Sequence, residues 1–188
     1  MTTLVAVDFE TDAIAPRPDF PPKPAGIAIY VDGGNPMYIS WGHPSGNSAK
    51  YEDVQPRLKN MFANENYEFV MHNAPFDLSV AEEKMDIVIP WNRCHDTMLM
   101  AFLLDPFGEL SLKPLAEKHL NEPPEEQLAL RDWLVRHGIV RSNDKQWGAH
   151  IAKAPAGIVA PYAIGDVRKT LNLYKRFKAQ LESRSKIC

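Results

Sequence analysis

Residues 4–13 read LVAVDFETDA, a hydrophobic, strand-like run that carries two carboxylates, Asp8 and Glu10. Side chains two positions apart in a strand share one face and lie ~7 Å apart, so the two carboxylates point the same way. Like charges at that spacing repel each other, and each is costly to remove from water. A divalent cation would relieve both costs, because carboxylate oxygens suit Mg²⁺ or Mn²⁺. An edge strand with its acidic face in solvent also explains the pair, and for a motif this short it is the more common case.

The composition predicts a single globular domain over residues 1–188. Hydrophobic residues make up 45% of the chain and charged residues 24%, which are ordinary values for a soluble protein. No basic leader precedes the first hydrophobic run, and no stretch of about 18 apolar residues occurs. We therefore expect a cytoplasmic protein without membrane contacts. The two cysteines, Cys94 and Cys188, lack the spacing of a metal site and suit a reducing compartment.

Charge is distributed unevenly along the chain, although the net charge is only −3. Residues 1–140 hold 11 Lys and Arg against 21 Asp and Glu, whereas residues 141–188 hold 10 against 3. Such asymmetry indicates a polyanionic partner near the C-terminal segment. A solvated basic helix face would produce the same pattern without any partner.

Hydrophobic periodicity predicts an α/β domain with a mixed sheet. Strands are predicted over residues 3–9, 26–31, 37–40 and 67–71. Helices are predicted over residues 51–63, 74–84, 97–104, 112–119, 123–136 and 161–183. Asn73, Asp96 and Ser111 are the candidate N-caps. Residues 14–24, which contain five prolines, and residues 141–157 are predicted to be irregular.

Two further stretches carry polar pairs at helical spacing. In HNAPFDLSV (residues 72–80), Asn73 and Asp77 are four residues apart at a predicted helix start, where capping and the helix dipole would be a sufficient explanation. In APYAIGDVRKT (residues 160–170), Tyr162 and Asp166 are four apart on the last helix. A surface tyrosine and a surface aspartate would explain that pair. Each motif taken alone is therefore ambiguous.

Glycine at position 165 is unfavourable inside a helix by about 1 kcal/mol relative to alanine. It predicts that another backbone approaches the last helix closely at this point. The core-facing side chains of that helix are predicted to be Ile164, Val167, Leu171 and Tyr174.

In their order and type, the three motifs resemble the exonuclease motifs of the DEDD superfamily: D-x-E on a first strand, N-x-x-x-D on a helix and Y-x-x-x-D on a late helix. The tyrosine is that of the DEDDy group of DnaQ-like 3′–5′ exonucleases, which includes the proofreading domains of family A DNA polymerases. Residues 94–106 (CHDTMLMAFLLDP) and 110–120 (LSLKPLAEKHL) also look like the family's segments between the second and third motifs.

The resemblance implies a ribonuclease H-like fold, in which a mixed five-stranded sheet is flanked by helices and three antiparallel strands come first, followed by parallel additions. It also implies that Asp8, Glu10, Asp77 and Asp166 converge at one end of the sheet and hold two divalent cations, Mg²⁺ or Mn²⁺. By this analogy Asp8, Glu10 and Asp166 ligate the first ion, Asp8 bridges to the second, and Asp77 holds the second through water. Two metal ions held in this way can activate a water molecule and stabilise a departing 3′ oxygen. Tyr162 is expected to orient the attacking water, because a free tyrosine is a weak base at neutral pH.

Substrate contacts are predicted less directly. Thr11, Asn73 and Phe76 flank the first two motifs and are the candidate substrate-binding residues. Basic and aromatic side chains grip single strands in other proteins, and the polar segment offers further candidates of that kind: Arg141, Lys145, Trp147 and Lys153. A role as a packed core residue would explain Phe76 equally well, and ordinary surface positions would account for the other four.

The predicted function is that of a 3′–5′ exonuclease that releases nucleoside monophosphates from the 3′ ends of DNA, with a DNA polymerase as a possible partner for proofreading in trans. An RNA 3′-end-processing exonuclease of the same superfamily is the nearest alternative. A non-catalytic nucleic-acid-binding module is the other, since fold does not fix function. The complete set of four carboxylates and Tyr162 argues against the non-catalytic alternative.

Overall fold

The computed structural model of the protein describes residues 2–185, so Cys188 lies outside the described residues. A single five-stranded sheet runs through the described part of the chain in the order β3-β2-β1-β4-β5. The strands are β1 (Thr3–Thr11), β2 (Pro24–Val31), β3 (Met37–Ser40), β4 (Tyr67–Met71) and β5 (Cys94–Asp96). Pairs β1–β2 and β2–β3 are antiparallel, and pairs β1–β4 and β4–β5 are parallel. The predicted ribonuclease H-like arrangement is confirmed.

Six α-helices lie in the described residues, together with two 3₁₀ turns. The helices are α1 (Tyr51–Ala63), α2 (Ala74–Met85), α3 (Thr97–Leu104), α4 (Leu112–Leu120), α5 (Glu125–Arg136) and α6 (Ala156–Ser185). The 3₁₀ turns span Trp91–Arg93 and Trp147–Lys153. Among these helices, none within residues 2–185 combines the length and the apolar character that a membrane crossing requires.

The two faces of β1 are buried against different helices. Val5, Val7 and Phe9 point into the larger core, where α1 and α2 cover the sheet. Ala6 points to the opposite face, where it packs with β2 and β4 against α6. The residues of that second core include small side chains at the sheet surface, which allow α6 to approach closely: Ala6, Ala28, Val70, Ala163, Val167, Leu171 and Tyr174. Because side chains alternate along a strand, Asp8 and Glu10 lie on the α6 face.

The beginning of α6 differs from the prediction. The helix starts at Ala156, five residues before the predicted start, and Pro161 lies inside it. Burial of Ala156 and Val159 favours the extra turn, since apolar burial outweighs the one hydrogen bond that a proline near a helix start removes. The predicted core position of Ile164 is also wrong: Ile164 is half-buried, and Ala163 occupies the core instead. Residues 147–153, predicted to be irregular, form a 3₁₀ turn.

Asp96 caps two helices at once. Its Oδ1 accepts hydrogen bonds from the backbone N–H groups of Met98 (2.9 Å) and Leu99 (3.4 Å) at the start of α3, as predicted. Its two oxygens also accept from the N–H groups of Asn73 (3.0 Å) and Ala74 (2.9 Å) at the start of α2. Strands β4 and β5 are parallel and in register, so the two helices that follow them begin side by side.

Asn73 stands at the N-cap position of α2 but does not cap it. The residue adopts a left-handed backbone conformation with φ of 68°, and its side chain makes no capping hydrogen bond. The predicted capping role of Asn73 is therefore wrong, and Asp96 takes that role from another strand. Ser111 likewise occupies the N-cap position of α4 without a side-chain capping bond.

We expect Asp96→Ala to lower the free energy of unfolding by about 2 kcal/mol or more, because loss of an N-cap costs roughly 0.5–2 kcal/mol for each helix. For a chain of this size that corresponds to a melting temperature lower by about 4–8 °C. Urea unfolding followed by circular dichroism measures the change. The matched control is Ser111→Ala, which removes an N-cap residue that makes no capping bond and should change stability by less than about 0.5 kcal/mol. Equal effects of the two substitutions would contradict the double-capping role.

Candidate active site

The carboxylates of the first and third motifs meet at the end of β1. Ligand oxygens of Asp8, Glu10 and Asp166 all lie within 4.8 Å of one another. Opposite Asp8 and Glu10 in the neighbouring strand β2 are Ala28 and Gly26. Ala28 has a small side chain on the α6 face of the sheet, and α6 presents Asp166 to Asp8 and Glu10 there. The structure thus brings together three of the four predicted carboxylates as one cluster.

The fourth carboxylate, Asp77, reaches the same strand from the other direction. It lies in the first turn of α2, is 1% exposed, and its Oδ1 accepts a 2.9 Å hydrogen bond from the backbone N–H of Phe9. Phe9 separates Asp8 from Glu10 in β1. The bond therefore fixes Asp77 against the segment that carries the D-x-E pair. Burial, followed by the charge of Asp8, raises the pKa of Asp77.

Burial also disfavours ionisation of the two carboxylates of β1, Asp8 and Glu10. Desolvation raises the pKa of Asp8 from 3.8 to about 6, even though the nearby Lys113 ammonium acts in the opposite direction. Desolvation and the charge of Asp8 raise the pKa of Glu10 well above its usual range. Ionisation of these carboxyl groups therefore costs free energy, because apolar surroundings do not compensate the charge.

The donor set fits a divalent cation. Three carboxylates supply hard oxygen ligands, which Mg²⁺ and Mn²⁺ prefer. Oε1 of Glu10 is buried and has no hydrogen-bond partner among the described residues. A buried carboxylate oxygen without a donor is costly, and an ion would satisfy it.

Lys113 is a component of the site that the sequence did not predict. It lies in the first turn of α4, and its Nζ forms an ion pair with Oδ1 of Asp166. The same ammonium stands 4.3 Å from the centre of the Tyr162 ring. A lysine on an amphipathic helix is usually exposed to solvent. Nothing in the local sequence therefore distinguished Lys113 from Lys118 on the same helix.

A cleft of about 630 Å³ opens over the carboxylates. Asp8, Glu10 and Asp166 form its floor together with Tyr162. The other lining residues are Phe9, Thr11, Asp12, Ile14, Phe76, Lys145, Gln146, Trp147, Gly148, Ala149 and Ile151. Of the predicted substrate contacts, the cleft therefore brings in Thr11, Phe76, Lys145 and Trp147. Three others are exposed and do not line it: Asn73, Arg141 and Lys153.

The proline-rich loop between β1 and β2 forms one rim of this cleft. Ile14, which is 65% exposed, contributes a lining side chain. Phe20 packs against Phe76 with ring centres 6.4 Å apart. Arg17 stacks on the Phe20 ring at 5.8 Å and also pairs with Glu83 of α2 at 3.6 Å. The loop is thus attached to the helix that carries Asp77.

The opposite rim is the 3₁₀ turn of residues 147–153. Trp147 meets the ring of Tyr162 edge-on, with centres 6.3 Å apart. The side chain of His43 links the C-terminal end of this turn to the sheet: Nδ1 lies 2.8 Å from the carbonyl oxygen of Ala154, and Nε2 lies 2.6 Å from the hydroxyl of Tyr38. Tyr38 in turn lies over Gly26, where an added Cβ would overlap the tyrosine hydroxyl and ring.

Gly165, next to Asp166, has a different neighbour from the predicted one. A Cβ at this position would meet the side chain of Glu126 from α5, not a backbone. Glu126 forms an ion pair there with Lys169, which is 4% exposed. The close approach was predicted correctly, and the type of neighbour was wrong.

Comparison with known proteins agrees with this geometry. A family model described as 3′–5′ exonuclease matches residues 1–182. DNA polymerase I of Chloroflexus aurantiacus is 31% identical over 158 residues, which cover 84% of this chain and 15% of that protein. The DNA polymerase of Escherichia phage T5 is 27% identical over 191 residues, which cover 98% of this chain and 21% of that protein. The chain thus spans about a fifth or less of these polymerases.

Solved structures show the same fold at lower identity. Brucella melitensis NrnC with bound Mg²⁺ superposes with a TM-score of 0.63 at 18% identity, covering 98% of this chain and 76% of that one. Escherichia coli RNase D, an exoribonuclease involved in structured RNA processing, superposes with a TM-score of 0.59 at 17% identity, covering 97% and 40%. With the match over residues 1–182 and the carboxylate cluster at the end of β1, the chain belongs to the 3′–5′ exonuclease family.

Proposed function

We propose that residues 1–188 form a single exonuclease domain that removes nucleoside monophosphates from the 3′ ends of single-stranded or frayed DNA. The observation that carries the proposal is the convergence of Asp8, Glu10 and Asp166 within 4.8 Å at the floor of an open cleft. Asp77, fastened to Phe9 beside them, completes the set of four. We propose two divalent cations, Mg²⁺ or Mn²⁺, as the cofactor.

Each carboxylate has a proposed share in holding these ions. Asp8, Glu10 and Asp166 would hold the first, and Asp8 would bridge to the second. Asp77, which accepts a hydrogen bond from the backbone N–H of Phe9, would hold the second ion through water. Such a pair of ions supplies activation of the attacking water and stabilisation of the departing 3′ oxygen.

Tyr162 would orient the attacking water and would not act as the base. Burial, together with the charges of Glu10 and Asp8, raises the pKa of Tyr162 well above its usual range. The hydroxyl therefore keeps its proton at neutral pH and remains a hydrogen-bond donor. The edge-on contact with Trp147 helps to fix the position of its ring.

The rims of the cleft would grip the substrate strand. Phe76 and Trp147 offer aromatic surfaces on which bases stack, and Lys145 offers a charge for the backbone. Thr11, whose hydroxyl donates to the carbonyl of Asp12 at 2.9 Å, lines the cleft beside Glu10. Asn73 remains a predicted substrate contact, although its exposed position is away from the cleft lining.

DNA is the proposed substrate because the two curated relatives are DNA polymerases. By the same argument a DNA polymerase is the proposed partner, for which this domain would remove mismatched ends. RNA is the second candidate, since the solved structures of this fold include an exoribonuclease. RNA recognition depends on contacts to the 2′-hydroxyl.

The proposal is tested with 5′-labelled strands of one sequence, as single-stranded DNA, duplex DNA and RNA, under identical salt and Mg²⁺ or Mn²⁺. We expect stepwise shortening of the single-stranded DNA from its 3′ end, abolished by chelator and by Asp8→Ala. Duplex DNA should be degraded more slowly, because its ends must fray first. No degradation, or degradation that survives chelation, would contradict the enzymatic function, and faster loss of RNA would favour the second candidate.

Removal of the Tyr162 hydroxyl should reduce turnover while leaving ion binding intact. We expect Tyr162→Phe to lower kcat by about 10- to 100-fold with little change in KM, because the water would lose its orienting donor. Single-turnover kinetics measure the chemical step, and calorimetry with Mn²⁺ measures ion binding. Tyr30→Phe on β2 serves as a tyrosine control that should retain full turnover. An unchanged rate in Tyr162→Phe would remove this residue from the mechanism.

The raised pKa of Asp8 predicts a specific pH dependence of stability without metal. In the folded chain Asp8 titrates at about 6, against 3.8 for an unperturbed aspartate. Between these values the folded state binds more protons than the unfolded state, so stability falls as pH rises through this window. With chelator present, the melting temperature should therefore decrease as pH rises from the lower to the upper value.

The substitution Asp8→Asn should make that decrease shallower without abolishing it, because the amide does not titrate while Glu10 and Asp77, whose pKa values burial also raises, still do. Asp19→Asn, at an exposed position in the proline-rich loop, is the matched control and should keep the wild-type slope. Melting curves across the window, recorded in chelator by circular dichroism, measure both. A wild-type slope in Asp8→Asn would show that Asp8 is not held in a desolvated cluster.

A further inference from the structure

A side-chain cation of the protein itself, the ammonium of Lys113, lies against the carboxylate cluster. The Nζ of Lys113 pairs with Oδ1 of Asp166, and the lysine side chain is only 14% exposed. The ammonium also faces the ring of Tyr162 at 4.3 Å. Its charge lowers the pKa of both Asp8 and Glu10, against the larger opposing effect of burial. One lysine from α4 thus acts on the third motif and on both carboxylates of the first.

We propose that Lys113 is an internal counterion of the metal-free site, and that a divalent cation must displace its ammonium from Asp166 to bind. The inference rests on the metal-dependent function proposed above, and it assigns a role to a residue outside the three motifs. Lys113 is in this sense a positioning residue, because it acts on the carboxylates that would hold the ions.

The argument begins with the metal-free protein. Three carboxylates lie within 4.8 Å of one another in a mostly buried place, where uncompensated charge is strongly destabilising. Lys113 compensates part of that charge from one side. It therefore helps to keep the carboxylates together before any ion arrives.

The argument continues with the metal-bound protein. Oδ1 of Asp166 is engaged by the ammonium, so an ion that uses the same oxygen competes with it directly. A divalent cation at the cluster also repels the ammonium at short range. The flexible four-carbon stem of a lysine allows the ammonium to withdraw. The contact that stabilises the metal-free site therefore weakens the affinity for metal.

Linkage turns this competition into a measurable pair of effects. Removal of the ammonium should destabilise the metal-free state more than the metal-bound state, and metal binding should tighten by the corresponding factor. A lysine with a purely structural role would lower the stability of both states alike and leave the affinity unchanged.

The test compares Lys113→Met with Lys118→Met, which changes a 61%-exposed lysine on the same helix. In chelator, we expect the melting temperature of Lys113→Met to fall by about 5 °C or more. Calorimetry should show Mn²⁺ binding that is tighter by about fivefold or more, while Lys118→Met matches the wild type in both measurements. Unchanged or weaker Mn²⁺ binding by Lys113→Met would overturn the proposal.

A measurement on the wild type keeps the proposal testable if Lys113→Met does not fold. Reductive methylation followed by mass spectrometry reports the accessibility of each lysine with chelator and with Mn²⁺. We expect labelling of Lys113 to rise several-fold with Mn²⁺ and labelling of Lys118 to stay constant. Equal or lower labelling of Lys113 would overturn the counterion role alone, whereas a wild type that binds no Mn²⁺ would overturn the proposed metal-dependent function as well.

Discussion

The main physical constraint on this structure is the repulsion between carboxylates that the fold itself brings together. Along the α6 face of β1 the side chains change from Ala6, which is completely buried, to Asp8 and Glu10. The apolar part of this face packs closely against α6, and Asp166, which lies on α6 between the core residues Ala163 and Val167, reaches the acidic part. The packing that stabilises the sheet therefore also creates the charge cluster. The two cannot be separated by a local rearrangement, because they share one strand and one helix.

Several independent contacts hold the cluster in place from outside. Asp96 joins the start of α2 to the start of α3, and α2 carries Asp77 in its first turn. The N–H of Phe9 then binds Asp77 at the strand itself. On the other side, His43 connects the 3₁₀ turn beside the cleft to the sheet. These hydrogen bonds fix the elements that surround the carboxylates. The carboxylates therefore stay close together although their charges repel each other.

The sequence predicted those features that are encoded locally. The helix at residues 51–63 and the strands at residues 37–40 and 67–71 have the predicted bounds, because apolar periodicity and nearby turn residues define them. The start of α6 was missed because Pro161 suggested a first turn, while distant packing of Val159 supports an earlier one. Asn73 had the right residue type for a cap, but Asp96, 22 residues from Ala74, makes the bond instead. Lys113 shows the same limit most clearly, since its partner Asp166 lies on another helix.

Protons, an ammonium and metal ions can each neutralise the same oxygens in this site, and they differ in what they permit. Protonation lowers the repulsion but removes the ligands that an ion needs. The Lys113 ammonium lowers the pKa of Asp8 and Glu10 without reversing the larger effect of burial, and it takes up one oxygen of Asp166. Only a multivalent ion compensates the cluster and also polarises a phosphate. Without metal, stability of the fold requires compensation of this charge by protons or by the ammonium. Both compete with metal ions for the same oxygens and so weaken metal binding. A change in these side chains that stabilises the protein without metal is therefore expected to lower its affinity for metal ions. Such a trade-off between stability and function is common at sites where function requires a destabilised arrangement.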